Sequence, residues 1–170
     1  MMVKAVKYSV AVAVLVLVGC GQKDAQTETT QPPVQPAFVS VDAASVAGTA
    51  RAPCSIDKIS GRLARGRTVT LKAGTDAVFN GWVADPAKQV PAEFNVVLSG
   101  ATTYSAVASA GQPRPDVARS LRADTLQNAG FNSRLTLAGV APGEYAVSLV
   151  HRAGDKVVRC DTKTLLTVEN

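Results

Sequence analysis

The stretch Glu-Tyr-Ala-Val-Ser-Leu-Val-His at residues 144–151 decides the fold, because bulky apolar side chains recur in it at every second position. Tyr145, Val147 and Leu149 share one face of an extended chain, since successive side chains of a strand point to opposite faces. Residues 93–98 repeat the pattern. This period of two predicts half-buried β-strands.

Short runs of the same texture continue outward from this stretch, separated by Gly, Pro, Asn and Asp. The predicted strands are residues 55–59, 68–72, 77–83, 93–98, 103–108, 133–137, 144–151, 157–160 and 164–168. Turn dipeptides fall between them, as at Pro142-Gly143 and Gly154-Asp155. The spacing is typical of an antiparallel β-sandwich and predicts an all-β domain.

Residues 113–126 are the exception to this pattern. Pro115 and Asp116 are residue types that begin helices, and Val117 and Leu121 share one helical face at a separation of four. The sequence therefore predicts one short helix in a crossover loop.

Residues 1–19 have the composition of an export leader. Lys4 and Lys7 precede an apolar run at residues 8–18. That run is well short of the roughly 20 residues that a membrane-spanning helix needs, so a transmembrane anchor is the weaker alternative.

Leu17-Val18-Gly19-Cys20 resembles the lipobox of bacterial lipoproteins at every position. The resemblance implies that the leader is cut before Cys20 and that Cys20 carries the lipid that attaches the protein to a membrane. Gly21 follows, and the sorting rule of that class then implies the outer membrane, with the domain facing the periplasm or the cell surface. The alternative is an ordinary signal peptide followed by a free cysteine.

Residues 20–50 are predicted to be a lipidated cysteine and a flexible linker, and residues 51–170 a single β-sandwich domain. The segment after Cys20 is rich in Gln, Thr, Ala and Pro and has too few bulky apolar side chains to fold alone. Whether residues 38–50 dock on the domain is left open.

With Cys20 assigned to lipid, Cys54 and Cys160 remain. An even pair in an exported domain predicts a disulfide, here between the first and the penultimate predicted strands. A redox role is the weaker alternative, because the chain has no CxxC spacing.

The region from residue 54 to residue 168 also resembles an immunoglobulin-like β-sandwich module of exported and cell-surface bacterial proteins. The matching segments are Gly81-Trp82 with Asp85, Arg114-Pro115-Asp116-Val117, Ala129-Gly130-Phe131 and Gly143-Glu144-Tyr145. These are framework positions, so the resemblance implies a fold and carries no activity.

Two of these positions invite a structural and a functional interpretation. Trp82 is predicted to be buried between the sheets, with a ligand-stacking surface as the alternative. Arg114 and Asp116 are predicted to form an ion pair or to cap the helix, with ligand binding as the alternative.

The sequence does not predict a catalytic residue, a metal site or a cofactor. His151 is the single histidine, and no motif links it to Ser148 or Asp155 as a catalytic triad. Asp116 and Asp124 are two nearby acids without an obvious turn role, but a carboxylate pair for glycoside hydrolysis cannot be identified from spacing alone. We therefore do not expect an enzyme.

The chain has 18 Lys and Arg against 13 Asp and Glu, a net charge of +5. Two arginine clusters are candidate binding surfaces for anionic lipid, glycan or an acidic partner: Arg62, Arg65 and Arg67 in a hairpin, and Arg114, Arg119 and Arg122 in the helical loop. The alternative is that both are solvated surface. Nucleic acid is not expected, because basic and aromatic residues do not interleave.

Two functions stay open from the sequence. The first is a membrane-anchored binding or scaffolding module that contacts an envelope protein or glycan. The second is a structural subunit of an envelope assembly. Exposed strand edges and arginine-rich loops would serve either function.

Overall fold

The computed structural model describes residues 36–170 of the chain. The leader, the lipobox with Cys20 and the first part of the linker lie outside the described residues. Within residues 36–170 the strands are β1 Val39–Ser40, β2 Ala50–Arg51, β3 Cys54–Ile59, β4 Arg62–Leu63, β5 Thr68–Lys72, β6 Asp76–Val83, β7 Glu93–Ser99, β8 Thr103–Ser109, β9 Gly130–Thr136, β10 Gly143–Ala153 and β11 Lys156–Glu169. The helix α1 spans Pro115–Leu121, and short 3₁₀ turns span Ala43–Val46 and Asp124–Leu126.

The strands form two sheets that enclose one apolar core. A four-stranded sheet has the order β4-β3-β6-β9, and a seven-stranded sheet has the order β1-β8-β7-β10-β11-β2, with β5 also paired to β11. Side chains of both sheets, such as Phe79 and Leu149, are fully buried in this core. The predicted all-β sandwich is confirmed.

The predicted helix is also confirmed, and it lies in a crossover. It follows β8 of the seven-stranded sheet and precedes β9 of the four-stranded sheet. Pro115 occupies its first turn, where a missing N–H costs no hydrogen bond. Arg122 ends the helix in a left-handed conformation, with φ of 50°.

The prediction of a wholly antiparallel sandwich was wrong for the seven-stranded sheet. Both β5 and β2 pair with β11 in parallel, at Leu165 to Glu169 and at Val158 to Arg159 respectively. Alternation of apolar and polar residues shows which face of a strand is buried. It does not show strand direction, so the pattern could not reveal these pairings.

The two strands predicted at residues 157–160 and 164–168 are one bulged strand, β11. The register shifts opposite Val147 and Ser148, so Thr162 and Lys163 have no partners in β10. The Thr162 hydroxyl donates to the Val147 carbonyl at 2.7 Å. This side-chain hydrogen bond keeps the strand attached across the bulge.

The segment that the sequence left open docks on the sandwich. Phe38 is 4% exposed in the main core, and β1 pairs with β8 at Ser105 and Tyr104. Val46 is buried against the outer face of the seven-stranded sheet. The folded domain therefore begins before residue 51.

The predicted disulfide between Cys54 and Cys160 is present, with a Cα–Cα distance of 6.1 Å. It joins β3 of one sheet to β11 of the other. Among residues 36–170, no helix is long and apolar enough to cross a membrane.

Candidate functional site

A β-bulge on the outer face of the four-stranded sheet creates the site. In the pairing of β3 with β6, Ile56 lies opposite Gly81 and Lys58 opposite Asn80, so Asp57 is the extra residue. A bulge redirects a side chain that regular pairing would place elsewhere. Asp57 is half-buried here.

Asp57 is held by residues from three parts of the chain. Ser55 Oγ donates to its Oδ1 at 2.9 Å, and Arg65 Nη2 donates to the same oxygen at 2.7 Å. Arg114 Nη1 donates to Oδ2 at 2.9 Å. Arg114 also binds Asp116 through two hydrogen bonds, Nε to Oδ1 at 2.9 Å and Nη2 to Oδ2 at 2.8 Å. These five residues are called the Asp57 network below.

Arg114 is the residue that links the helix to the sheet. Its side chain is 21% exposed and crosses Gly130 of β9, where an added Cβ would lie 2.7 Å from Arg114 Cγ. Gly130 is therefore required for the close approach of the arginine. The predicted pairing of Arg114 with Asp116 is present, and Asp57 is a second partner that sequence spacing did not indicate.

The acids of the Asp57 network stay ionised. Hydrogen bonds from Arg114 lower the pKa of Asp116 to about 2. Burial acts to raise the pKa of Asp57, but the hydrogen bonds from Arg65 and Ser55 and the charge of Arg114 outweigh it and lower the pKa. The hydrogen bond with Asp116 raises the pKa of Arg114. The network thus keeps fixed charges across the physiological pH range.

A groove of about 580 Å³ lies beside this network on the same face. We call it the polar groove; its polar lining residues are Asp57, Lys58, Asn80, Gln112, Arg114 and Asn132. Lys58, Asn80 and Asn132 are directly opposite one another on β3, β6 and β9. The hydrogen bonds of the Asp57 network do not include these three side chains, so their polar groups are available to a ligand.

The structure divides the six candidate arginines into two groups. Arg65 and Arg114 come from different predicted clusters and meet at Asp57. Arg62, Arg67, Arg119 and Arg122 are exposed and are not part of that network. The two sequence clusters therefore do not act as separate basic patches, because one arginine of each, Arg65 and Arg114, is paired with the same acid.

Trp82 does not lie between the sheets, and that prediction was wrong. It is half-buried on the outer face of β6 and packs with a second small core formed by Val117, Ala118 and Leu126 under the helix. Trp82 has the same strand parity as Asn80, whose side chain lines the polar groove. A smaller cavity of about 180 Å³ between Trp82 and Arg114 separates the indole from that groove.

His151 is more buried than its place at a strand end suggested. Its side chain is 5% exposed, and neither ring nitrogen has a hydrogen-bond partner. Burial lowers the pKa of His151, and the nearby charge of Asp85 opposes the shift. Ser148 lies on the opposite face of β10, so the considered triad is not assembled. Asp124 is exposed and is not part of the Asp57 network.

Sequence reasoning missed Asp57, Lys58, Asn80, Gln112 and Asn132. One clue was present: Ile56 and Ile59 are both core residues, three apart in one strand. Regular alternation cannot bury both, so this spacing indicates an inserted residue between them. The convergence of three strands on one groove had no local signature.

In the described part of the chain, no group of three or more His, Cys, Asp or Glu side chains could hold a metal ion. No protein-family model, curated protein or solved structure matches the chain. The geometry of the polar groove and the sequence of the leader therefore carry the functional argument.

Proposed function

We propose that the protein is a membrane-anchored envelope lipoprotein whose β-sandwich is a non-catalytic binding or scaffolding domain. The polar groove is the observation that carries the binding role. It combines a concave surface, a rigid charged wall and polar side chains free of the network beside it. Sites of this kind fix a ligand with a few placed polar groups.

The anchoring part of the proposal rests on the leader and on Cys20 in its lipobox. Lipid on this cysteine would hold the domain at a membrane, and the outer membrane is the compartment that Gly21 favours. More than one acyl chain is needed for stable attachment, and the lipoprotein class supplies them at one residue. The ligand would then be envelope glycan or another envelope protein.

The proposed fold family is the immunoglobulin-like sandwich, and Tyr145 supports it. At the start of β10, the Tyr145 hydroxyl donates to the Ala141 carbonyl four residues upstream, at 2.7 Å. Tyrosine corners of this form occur in immunoglobulin-type sandwiches. The Cys54–Cys160 bond departs from that family's usual inter-sheet disulfide, because it joins the first long strand to the last.

The non-catalytic part of the proposal is supported by the state of the ionisable groups. Asp57 and Asp116 are engaged by arginines and have lowered pKa values, which makes them poor proton donors near neutral pH. His151 is buried, has the strand parity of the core residue Leu149 and does not line the polar groove. A general acid or base needs both access to the substrate and a suitable pKa.

A structural subunit is the second candidate, and one observation favours it. Val39 and Val107 are 59% and 51% exposed near the edge formed by β1 and β8. Exposed apolar side chains at a strand edge favour association with another chain. In that case the edge, and not the polar groove, would contact the assembly.

A crosslinking experiment in intact cells separates the two candidates. A photoreactive amino acid at position 132 of the full-length protein samples the polar groove, and the same amino acid at position 107 samples the strand edge. The binding role predicts adducts from position 132, with few from position 107. Adducts from position 107 alone would contradict the binding role and support the structural subunit.

Fractionation tests the anchor independently of the ligand. Cys20→Ala should move the protein from the membrane fraction to the soluble envelope fraction, because the residue that accepts lipid is gone. Continued sedimentation of the variant with membranes would contradict the lipid anchor.

A further inference from the structure

We infer that the ligand of the polar groove is an acidic glycan chain that lies across the strands. The inference rests on the proposed binding function and names the ligand class for the same site. In this arrangement Asn80 and Asn132 bind sugar hydroxyls, and Lys58 binds an acidic group of the glycan.

The spacing of the three side chains carries the inference. Lys58, Asn80 and Asn132 occupy opposed positions on β3, β6 and β9. Neighbouring strands lie about 4.8 Å apart, so the row extends about 10 Å perpendicular to the strands. The spacing between neighbouring strands is comparable to the length of one sugar ring. A linear glycan can therefore present one residue to each position of the row.

The chemistry of the row matches hydroxyl groups. A carboxamide has two N–H donors and a carbonyl acceptor, and a hydroxyl group can both donate and accept. The amides of Asn80 and Asn132 can therefore bind hydroxyl groups even of a ligand that carries no net charge. Gln112 adds a third amide at the β9 end, because its backbone bonds to Gly130 in both directions at 2.9 Å.

Lys58 supplies the preference for acid. Its ammonium group donates only, so it favours an anionic acceptor. Asp57 is the neighbouring acid, and its two oxygens already accept from Ser55, Arg65 and Arg114. The charge of Lys58 is exposed and is left to the ligand.

Arg114 gives the groove a wall that does not need to be ordered on binding. Three of its five N–H donors are used by Asp57 and Asp116, which fix the guanidinium in place. A preorganised wall reduces the entropy lost on association. The remaining two donors are suited to a sugar hydroxyl or a carboxylate.

The lining favours glycan over a protein partner. Protein interfaces take most of their affinity from large apolar or aromatic anchors that fill pockets. The aromatic ring that lines the polar groove belongs to Phe131, which is 3% exposed and packs inward against Phe94. Its lining thus offers hydrogen bonds and charge but no exposed aromatic or large apolar side chain that could serve as such an anchor.

Calorimetry with defined oligosaccharides tests the inference on the full-length lipidated protein in detergent. The probes are the hexamer of galacturonate, which is acidic, and its fully methyl-esterified form, which is neutral and has the same sugar and linkage. The galacturonate hexamer should bind more tightly, and its affinity should fall as salt rises. Asn80→Ala and Asn132→Ala should each weaken binding of both probes about five- to tenfold, the loss expected for one hydrogen bond or two.

Two further variants complete the experiment. Lys58→Gln should reduce the affinity for galacturonate to that for the neutral hexamer and remove most of its salt dependence. Asn95→Ala is the matched control, because Asn95 is a half-buried asparagine on β7 of the other sheet and should leave binding unchanged.

Three results of the calorimetry would overturn the inference. They are no binding of either hexamer, binding that Asn80→Ala and Asn132→Ala leave intact, and a weakening by Asn95→Ala equal to theirs. A protein adduct from position 132 in the crosslinking experiment would also overturn it, while preserving the binding function. No adduct from position 132 together with no glycan binding would remove both proposals.

Discussion

The outer faces of the two sheets differ in how the chain covers them. On the seven-stranded sheet, Val97 and Val150 are buried beneath Val46 from the N-terminal segment. On the four-stranded sheet, the corresponding surface carries Lys58, Asn80 and Asn132 and borders an open groove. On the seven-stranded sheet the chain thus covers Val97 and Val150, whereas on the four-stranded sheet α1 covers the part around Trp82 and the groove beside it stays open.

Different interactions stabilise the two outer faces. Apolar burial stabilises the covered face at about 25 cal/mol per Å². Charged hydrogen bonds centred on Asp57 shape the open face, and these have geometric specificity but are weakened where solvent reaches them. If this face binds the proposed ligand, the arrangement would favour binding, because Arg114 is held in place without being covered.

The disulfide connects the two sheets, and its removal should have the largest effect on stability. Replacing Cys54 and Cys160 with serine removes a crosslink that spans 106 residues. The chain-entropy relation gives a destabilisation of about 4–5 kcal/mol for a loop of this size. Chemical denaturation of the oxidised protein and the double variant measures the difference, and equal midpoints would show that the bond does not stabilise the sandwich.

A charged residue at a buried position of the covered face tests whether water is excluded from that face. Val97 is fully buried, so Val97→Asp should cost about 3–5 kcal/mol of unfolding free energy as an uncompensated buried charge. Asn80→Asp is the matched substitution on the open face and should change the free energy by less than about 1 kcal/mol. Similar costs at the two positions, measured by urea denaturation, would erase the distinction between the faces.

Removing Arg114 tests how the open face is held. Arg114→Ala leaves Asp57 and Asp116 without their shared partner and should cost about 2 kcal/mol, since hydrogen bonds to charged groups contribute about 1.5–3 kcal/mol and Asp116 is partly screened by solvent. Arg119→Ala, an exposed change on the same helix, should cost less than about 0.5 kcal/mol. Equal effects in thermal unfolding would contradict the role of the Asp57 network.

The same variant has a pH signature. Asp57 and Asp116 have pKa values below their ordinary value of 3.8, so their contribution is present above about pH 4 and is lost as the pH falls towards 2. The wild-type protein should therefore lose more stability than Arg114→Ala across this interval. If the two proteins lost the same stability as the pH falls, this would argue against the lowered pKa values of Asp57 and Asp116.

His151 gives the smallest expected effect and involves neither outer face. Its pKa is below 6.5 in the folded protein, so the unfolded chain binds a proton first and stability falls as the pH drops below about 6.5. One proton limits the slope to about 1.4 kcal/mol per pH unit. His151→Leu should flatten the profile between pH 6.5 and 5, and an unchanged profile would show that another group titrates there.

Local pattern was sufficient for the strands β3 and β5 to β10 and for the helix, but not for the two-residue strands or for the continuity of β11. Alternation at Tyr145, Val147 and Leu149 predicted the inner face of β10, and those three side chains are in the main core. The Pro115 start and the spacing of Val117 to Leu121 predicted α1. In each case the deciding interaction lies within a few residues of the chain.

Apart from the Cys54–Cys160 disulfide, which the even pair of cysteines predicted, pairings between distant residues were beyond the sequence. Arg114 and Asp57 are 57 positions apart, and a bulge places Asp57 where Arg114 reaches it. Trp82 was predicted to lie between the sheets, but it lies on the outer face of β6, where burial comes from a helix whose packing the local pattern did not show. The polar groove has contributions from β3, β6, β9 and the segment at Gln112 and Arg114, so it exists only in the folded chain.

The docked segment at Phe38 determines how a mechanical load would pass through the domain. Thr136 of β9 donates to the Pro36 carbonyl at 3.1 Å and accepts from the Phe38 N–H at 3.4 Å. Asn132 of the polar groove lies on the same strand. If the proposed ligand binds Asn132 and the upstream chain is anchored as proposed, tension between them would pass along β9 to the hydrogen bonds at Pro36 and Phe38, and the Cys54–Cys160 bond would keep the chain between the two cysteines from extending fully.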